Sequence, residues 1–442
     1  MLDLRYKTIL GVAVPLMVSS FIQSVVLLTD AAFISRYDTS AFDAVGNGGL
    51  LYVTLFMALA GMGDGAQILI ARRIGQKQED AISSIFSTSV TVHLLVAFCL
   101  FLIAQFVLPI ALDTFVHHKD LALLQNDFLQ IRSYALFFAM ITLSIQAFML
   151  AQGKTWVVLI SALLTAGSNI LLDWILIFGK FGFREMGLEG AALASTIADG
   201  IGMSFLVLYL IFGKDARAFG LFKRFTIRKD AFKELLKVGT PLSFQGMVAL
   251  GTWTIFFMWI EQMGKFELTV SQNIRSIYFL VFVPIWGFAG TTKTYISQYI
   301  GAKEFDQLPR IQRRIQFLTV SFLFLFFHGA IFYPEQLIRF LNPSEAHVLK
   351  SAEILRFISV SIFIYGFVSV YFQTINGSGN TTITFLVETS CVLIYIASAY
   401  LFIKVWHWDI FWIWSVEYVY FITLGVLSIG YLSLFDWKKK EI

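Results

Sequence analysis

Charged side chains are scarce in this chain: Asp, Glu, Lys and Arg make up only 14% of the 442 residues, and 57% are hydrophobic. A soluble domain carries about a quarter charged residues, so this composition excludes one. Apolar runs of roughly 20 residues recur from end to end, the length that a helix needs to cross a bilayer. The alternating pattern of a membrane barrel strand is not seen. The sequence therefore predicts an all-α integral membrane protein.

Cysteine is nearly absent too. Cys99 and Cys391 both lie inside apolar runs, which favours small core residues over a disulfide or a metal site. We find no nucleophile–base pair and no metal-ligand spacing, so we expect no enzyme and no cofactor. The basic residues behind the net charge of +4 fall in loops, so we expect no nucleic-acid partner. No cleavage site follows the first apolar run, and we interpret that run as the first span.

Twelve spans account for the apolar runs. An even number of spans puts both termini on one side of the membrane, and Lys and Arg are concentrated on that side. The positive-inside rule places that side, with both termini, in the cytoplasm. Removing one span would put the basic segment 214–237 and the C-terminal lysines on opposite sides. The predicted spans are 8–35, 43–71, 84–110, 123–151, 155–179, 187–212, 232–260, 268–297, 311–332, 350–375, 382–403 and 409–435.

The two halves of the chain repeat each other at an offset of 226 residues, without a gap. The sequence therefore predicts two pseudo-symmetric six-helix lobes, 1–212 and 232–442, joined by a basic cytoplasmic linker at 213–231. Parallel repeats in a membrane chain are typical of secondary transporters that work by alternating access. The repeat pairs Pro15 with Pro241, Asn47 with Asn273, Gly61 with Gly287 and Gly75 with Gly301.

Two acids inside the first lobe lie at matched depth. Asp30 is six residues before Arg36, and Asp173 is seven before Lys180. At about 1.5 Å per residue, both lie roughly 10 Å below the outer boundary. Asn169, one turn before Asp173, shares its helix face, and Thr196 in span six reaches a similar depth. These oxygen atoms suit either a sodium ion or a proton, because two desolvated carboxylates cannot both stay ionised cheaply.

Two further acids of the first lobe, Asp64 and Asp199, also lie inside spans. Asp64 stands among the glycines of 61–65, which allow close helix contact, and we place it with Arg72 at a candidate inner gate. Asp199, one turn beyond Thr196, is a candidate for the rim of the pocket. A structural hydrogen-bond network is the alternative for every buried acid.

The candidate substrate cavity or rim also includes the repeat-paired Asn47 and Asn273. Arg275 and Arg356 fall in the second lobe, where they either snorkel to the surface or contact an anionic or zwitterionic part of a substrate. Arg132 also lies within a predicted span. Glu388 and Glu417, in spans eleven and twelve, have no partner that the sequence identifies.

Several motifs carry a family resemblance that covers nearly the whole chain. Ala-Arg-Arg-Ile-Gly at 71–75 closes span two, and Asn-Ile-Leu-Leu-Asp at 169–173 is followed by Gly-Ala-Ala-Leu-Ala-Ser-Thr at 190–196. With these motifs the chain resembles the multidrug and toxic compound extrusion (MATE) family of secondary transporters. Resemblance to its DinF-like branch implies a cation site at Asp30, Asn169, Asp173 and Thr196. The span-seven acid of the NorM-like branch is missing from 248–252, so no second-lobe ion site of that kind is expected.

The resemblance implies a cation-coupled antiporter, driven by H+ or Na+, that exports small amphipathic and often cationic compounds. The alternative is a flippase for a lipid-linked saccharide, which should show a cationic cavity. We expect a monomer that contacts membrane lipid and a small-molecule substrate, with H+ or Na+ as the coupling ion and no other metal. The sequence leaves the substrate and the choice of ion open.

Overall fold

The computed structural model describes residues 1–115, 119–222, 226–341 and 345–439, and within them it is helical, with no strand. This confirms the predicted all-α class. Two π-helical segments, Ile103–Val107 and Leu401–Val405, and two 3-10 turns, Phe305–Gln307 and Trp437–Lys439, interrupt the α-helices. The described α-helices are α1 Tyr6–Tyr37, α2 Thr39–Gly75, α3 Glu79–Leu102, α4 Leu108–Phe115, α5 Lys119–Ser133, α6 Ala135–Ala151, α7 Thr155–Ile177, α8 Gly187–Phe212, α9 Lys214–Ala218, α10 Lys229–Glu261, α11 Lys265–Gly301, α12 Leu308–Phe332, α13 Pro334–Leu341, α14 Glu345–Gly377, α15 Thr381–Tyr400, α16 Ile410–Ile413 and α17 Val416–Leu434.

Eleven described helical segments are long and apolar enough to cross a membrane, and there are twelve if one bent pair counts as a single span. The bent pair is α5 and α6, which meet at an angle of 44°. Together they cover the predicted fourth span, 123–151. The break follows a change of composition, because α5 is polar where α6 is almost wholly apolar.

The chain divides into two compact units, and α1 and α10 each contribute to both. The first unit is Val18–Ser243, and the second unit is Met1–Met17 with Phe244–Ile442. The N-terminal end of each of these two helices therefore packs with helices of the other half of the sequence. The predicted division into lobes at 212 and 232 assigns every helix as a whole to one half of the sequence. That division stays a prediction.

Glycines on α2 explain how the start of α10 joins the first unit. A Cβ on Gly65 would lie 2.7 Å from the Cα of Gly239, and a Cβ on Gly61 would overlap the backbone of Ser243. Ser243 also donates its hydroxyl to the carbonyl of Ala58, at 2.8 Å. Only glycine at these positions lets the two helix backbones come so close. The close helix contact predicted for 61–65 is confirmed.

The second unit contains a similar close helix contact at a glycine. Gly287 of α11 faces the N-terminal part of α1, where a Cβ would lie 2.9 Å from the carbonyl oxygen of Ala13. Gly287 corresponds to Gly61 at the 226-residue offset. The sequence repeat is therefore also a repeat of this helix contact.

We expect Gly65→Ala to destabilise the protein by about 1–3 kcal/mol, because the added methyl group meets backbone atoms that cannot move aside. Gly49→Ala, also on α2, is the matched control: no atom lies within 4 Å of a Cβ there. Alanine is the better helix former, so this variant should be neutral or up to about 1 kcal/mol more stable. Thermal unfolding in detergent measures both, and equal melting temperatures would contradict the packing argument.

Phe256 holds the position of the second half that corresponds to Asp30 at the offset of 226. Its side chain is 1% exposed, and its ring centre lies 5.5 Å from those of both Tyr395 and Trp414. The second unit therefore has an aromatic core where the first has a carboxylate. The two halves share helix order, but the chemistry at this position differs.

Candidate cation site

Two carboxyl groups meet inside the first unit. Asp30 projects from α1 and Asp173 from α7, and the two side chains interact directly. Asp173 is fully buried, with 0% of its surface exposed. The matched depth of the two acids in the sequence thus corresponds to a real contact in the structure.

Close packing of α7 and α8 builds one wall of this site. A Cβ on Gly190 would lie 2.8 Å from the carbonyl carbon of Leu176, so glycine lets the start of α8 rest on the end of α7. Further along, Ser161 donates its hydroxyl to the carbonyl of Gly202, at 3.0 Å. These contacts fix the face of α7 that carries Asp173.

Four buried oxygen atoms of the site accept no hydrogen bond from the described residues. They are Oδ1 of Asp30, Oδ1 of Asn169 and both carboxyl oxygens of Asp173. Buried acceptors are normally paired, since leaving one without a donor costs roughly 1–3 kcal/mol. Several such oxygens on adjacent side chains form an environment that a proton or a small cation would stabilise.

Asn169 is held in a fixed orientation. Its amide nitrogen donates to Ser195 Oγ at 3.1 Å, which keeps that nitrogen turned towards α8. The hydroxyl of the neighbouring Thr196 donates to the carbonyl of Ala192, one turn earlier in its own helix, at 2.7 Å. Thr196 is buried next to Ser195, the hydrogen-bond partner of Asn169. The role of Thr196 as a cation ligand stays a prediction.

Arg132 completes the cluster and was not identified from the sequence. It donates from Nη1 to Asp199 Oδ2 at 2.8 Å, and its guanidinium carbon lies 4.3 Å from the centre of the Tyr52 ring. It also interacts electrostatically with Asp30 and Asp173. The sequence did contain a signal for this pair. Arg132 and Asp199 each lie within a predicted span, and a buried arginine needs an acidic partner.

The charges of this cluster do not balance without another cation. Arg132 neutralises Asp199, its hydrogen-bonded partner. Asp30 and Asp173 then remain as two adjacent carboxyl groups in a low-dielectric setting. A proton or a sodium ion between them would remove one of the two remaining negative charges, and their oxygen-only donor set fits both.

The remaining cavity candidates are Asn47, Asn273, Arg275 and Arg356. The side chain of Asn47 is outside the described part of the structure. In the second unit, Asn273 donates to Ser351 Oγ at 3.2 Å, and the Arg275 guanidinium lies 4.7 Å from the Phe257 ring centre. Arg356 is exposed and donates from Nε to the carbonyl of Ile331.

The gate candidates fall on the C-terminal part of α2. Arg72 is buried, with 4% exposed, and Asp64 is half-buried. The neighbouring Arg73 forms an ion pair with Glu234 at the start of α10, with 2.9 Å between Nη2 and Oε2. This pair joins the two helices that Gly61 and Gly65 bring together. A gating role for Asp64 and Arg72 stays a prediction.

Comparison with known proteins places the chain in a family. The family model described as MatE matches the chain twice, over residues 15–175 and 241–401, which together make up more than half of it. The chain belongs to the MatE family. The two matched stretches of this MatE protein are equally long and lie 226 residues apart, at the offset of the repeat. The resemblance to the MATE transporters is confirmed, and the DinF-like branch stays a prediction.

Two relatives are named as probable multidrug resistance proteins. The chain is 26% identical over 382 residues to the "Probable multidrug resistance protein NorM" of Thermotoga maritima, which covers 85% of this chain and 80% of that protein. It is 23% identical over 437 residues to the "Probable multidrug resistance protein YoeA" of Bacillus subtilis, which covers 97% and 93%. The MatE protein is thus a multi-pass membrane protein of a transporter family, which points to transport and not to catalysis.

Solved structures share the fold. A MOP-superfamily transporter from Pyrococcus furiosus superposes with a TM-score of 0.87 at 18% identity, covering 99% of this chain and 97% of that one. At this identity the likeness concerns the fold alone.

Proposed function

We propose that this MatE protein is a cation-coupled antiporter of the cytoplasmic membrane that exports small amphipathic, often cationic compounds by alternating access. The excess of Lys and Arg on one side supports a topology with both termini in the cytoplasm. The names of the NorM and YoeA relatives support export of drug-like compounds.

The direct contact between Asp30 and Asp173 carries the proposal of ion coupling. Both acids lie inside apolar helices, where keeping two adjacent negative charges is costly. A cation that enters the site therefore changes the charge of the site, and its departure restores that charge. An ion gradient can use such a site to drive a conformational cycle, because each state of the cycle binds the ion differently.

Arg132 supplies a fixed positive charge to the same cluster. Its bond to Asp199 keeps the guanidinium beside the acids without occupying the oxygens of Asp173. When the ion loads Asp30 and Asp173, Arg132 and Asp199 still neutralise each other, and the cluster loses one of its two remaining negative charges. A cationic substrate is then held less tightly and is released.

α1 connects the acid to a region that can bend. Pro15 lies within this helix and cannot donate a backbone hydrogen bond, so the helix is weaker there. We expect loading at Asp30 to shift α1 around this point. Phe256 stands at the corresponding position of α10, so the second half lacks this switch.

Lipid-linked saccharide flipping depends on cationic groups around an anionic substrate. Arg356 is exposed and bonded to a backbone carbonyl, and Arg275 lies over an aromatic ring. The unpaired groups of the described site are carboxyl and amide oxygens. The exporter is therefore the better-supported function.

Proteoliposomes with separately imposed gradients test the coupling. We expect a fluorescent organic cation to accumulate against its own gradient when an opposing H+ or Na+ gradient is present, since the loaded acid pair must discharge to complete the cycle. Accumulation should vanish when an ionophore collapses the effective gradient. Movement that only equalises substrate concentrations, whichever gradient is imposed, would contradict antiport.

A further inference from the structure

A cavity of about 230 Å³ lies within the second unit, among α10, α11, α14, α15 and α17. Its walls are mostly aromatic, and Trp253, Phe282 and Trp286 line one side. Two acids, Glu388 and Glu417, also line it. These are the intramembrane glutamates for which the sequence identified no partner.

Tyrosine hydroxyls hold both glutamates in place. Glu388 is 4% exposed and accepts a hydrogen bond from the hydroxyl of Tyr420 at 2.5 Å. Glu417 is 2% exposed and accepts one from Tyr278 and one from Tyr395, each at 3.0 Å. Hydroxyl groups that donate to a carboxyl group stabilise its charged form without neutralising it.

No Lys, Arg or His is among the described residues that line the cavity. Charge on either glutamate therefore has no fixed counter-ion in the walls. Burying such a charge is expensive unless a cation pairs with it. The missing positive charge must come from something that enters the cavity.

The aromatic rings indicate what kind of cation fits. Phe282 stacks on Trp286 with ring centres 6.0 Å apart, and its ring centre is 5.6 Å from that of Tyr365. Ring faces attract cations that carry little bound water, which is how aromatic cages recognise alkylammonium groups. A small inorganic ion would have to exchange its water shell for these rings, because the tyrosine hydroxyls already point their protons at the carboxyl groups.

The repeat supports a separate role for this cavity. At the offset of 226, Tyr278 corresponds to Tyr52 and Tyr395 corresponds to Asn169. Both first-half residues belong to the cluster around Asp30. The second half therefore builds its acidic cavity at related positions, with hydroxyl and aromatic groups in place of the carboxylate pair.

We propose that this cavity binds a small organic cation of the alkylammonium class, held between the two glutamates and the aromatic rings. The inference rests on the proposed export function, because it names the site and the chemical class of a substrate. The proposed site for the coupling ion is at Asp30 and Asp173 in the first unit. Substrate and coupling ion would therefore bind at different places.

Equilibrium binding of radiolabelled choline to the full-length protein in nanodiscs, without any gradient, tests the proposal. The trimethylammonium group should bind saturably, and unlabelled 3,3-dimethylbutan-1-ol, which has the same shape but no charge, should not compete. Glu417→Gln and Glu388→Gln should each weaken binding by at least about tenfold, since each removes a buried charge. Trp286→Leu should weaken it about fivefold by removing a ring face.

Glu304→Gln is the matched control, because Glu304 is exposed and does not line the cavity. Absence of saturable choline binding to the wild type would overturn the proposal whatever the variants do. So would unchanged binding in folded Glu388→Gln and Glu417→Gln, which would mean that the glutamates hold protons only. Failure of the antiport function would instead leave choline binding intact while ion-driven accumulation is missing.

Discussion

Asp173→Asn is expected to abolish ion-driven export while the protein still folds. Asparagine keeps the size of the side chain and one acceptor oxygen but removes the charge and the titratable proton. Its amide can donate to Asp30, so the pair would stay in a state that resembles the loaded one. Because a loss of about 1.4 kcal/mol in ion binding is already tenfold, we expect gradient-driven transport to fall at least tenfold.

Asp30→Asn should have the same effect, because either change leaves one carboxyl group where the cycle needs two. Proteoliposome export measures the loss, after melting experiments have shown that each variant is folded. Asp113→Asn is the control, since Asp113 is exposed in the same unit. Substrate binding by the Asp173 variant should also lose its dependence on pH or sodium. Full ion-driven export by either variant would leave the acid pair only a structural role.

Removing Arg132 should cause a large loss of stability. Arg132→Leu leaves Asp199 without its hydrogen-bonded partner and removes the one cation that the described residues place beside Asp30 and Asp173. Breaking a buried pair costs roughly 3–5 kcal/mol. We expect about 3 kcal/mol, the lower end of that range, because Asp199 keeps 32% of its side chain exposed and water screens part of the charge.

A double-mutant cycle separates the pair from general packing. Arg132→Leu combined with Asp199→Leu should recover much of the lost stability, since no unpaired charge of that pair remains. Arg339→Leu is a matched control: its partner is Glu345, and the two side chains are 48% and 70% exposed. That change should stay within about 1 kcal/mol. Strictly additive effects at Arg132 and Asp199 would contradict their coupling.

The sequence predicts the acid pair because depth in a membrane follows from counting residues along helices. That count alone places Asp30 and Asp173 at one level. Arg132 could not be placed in this way, since its position depends on the 44° bend between α5 and α6. The tyrosine partners of Glu388 and Glu417 depend on helix rotation, which residue counting does not give.

The fold shows a similar limit. Span number and the internal repeat follow from hydropathy and from the offset of 226 residues. The glycines at 61–65 indicate close packing, but they do not identify the helix that packs there. The structure shows that this partner is the start of α10, far along the chain.

Because α1 and α10 each contribute to both compact units, the order of synthesis constrains when each unit can finish folding. During synthesis, all of α2 to α8 is made before residues 229–243 exist, yet the first unit includes those residues. Until then, Gly61 and Gly65 have no helix against them. A nascent chain halted at 213–228 would hold an unfinished helix bundle with an open groove. Folding of the first half is therefore completed only by the beginning of the second.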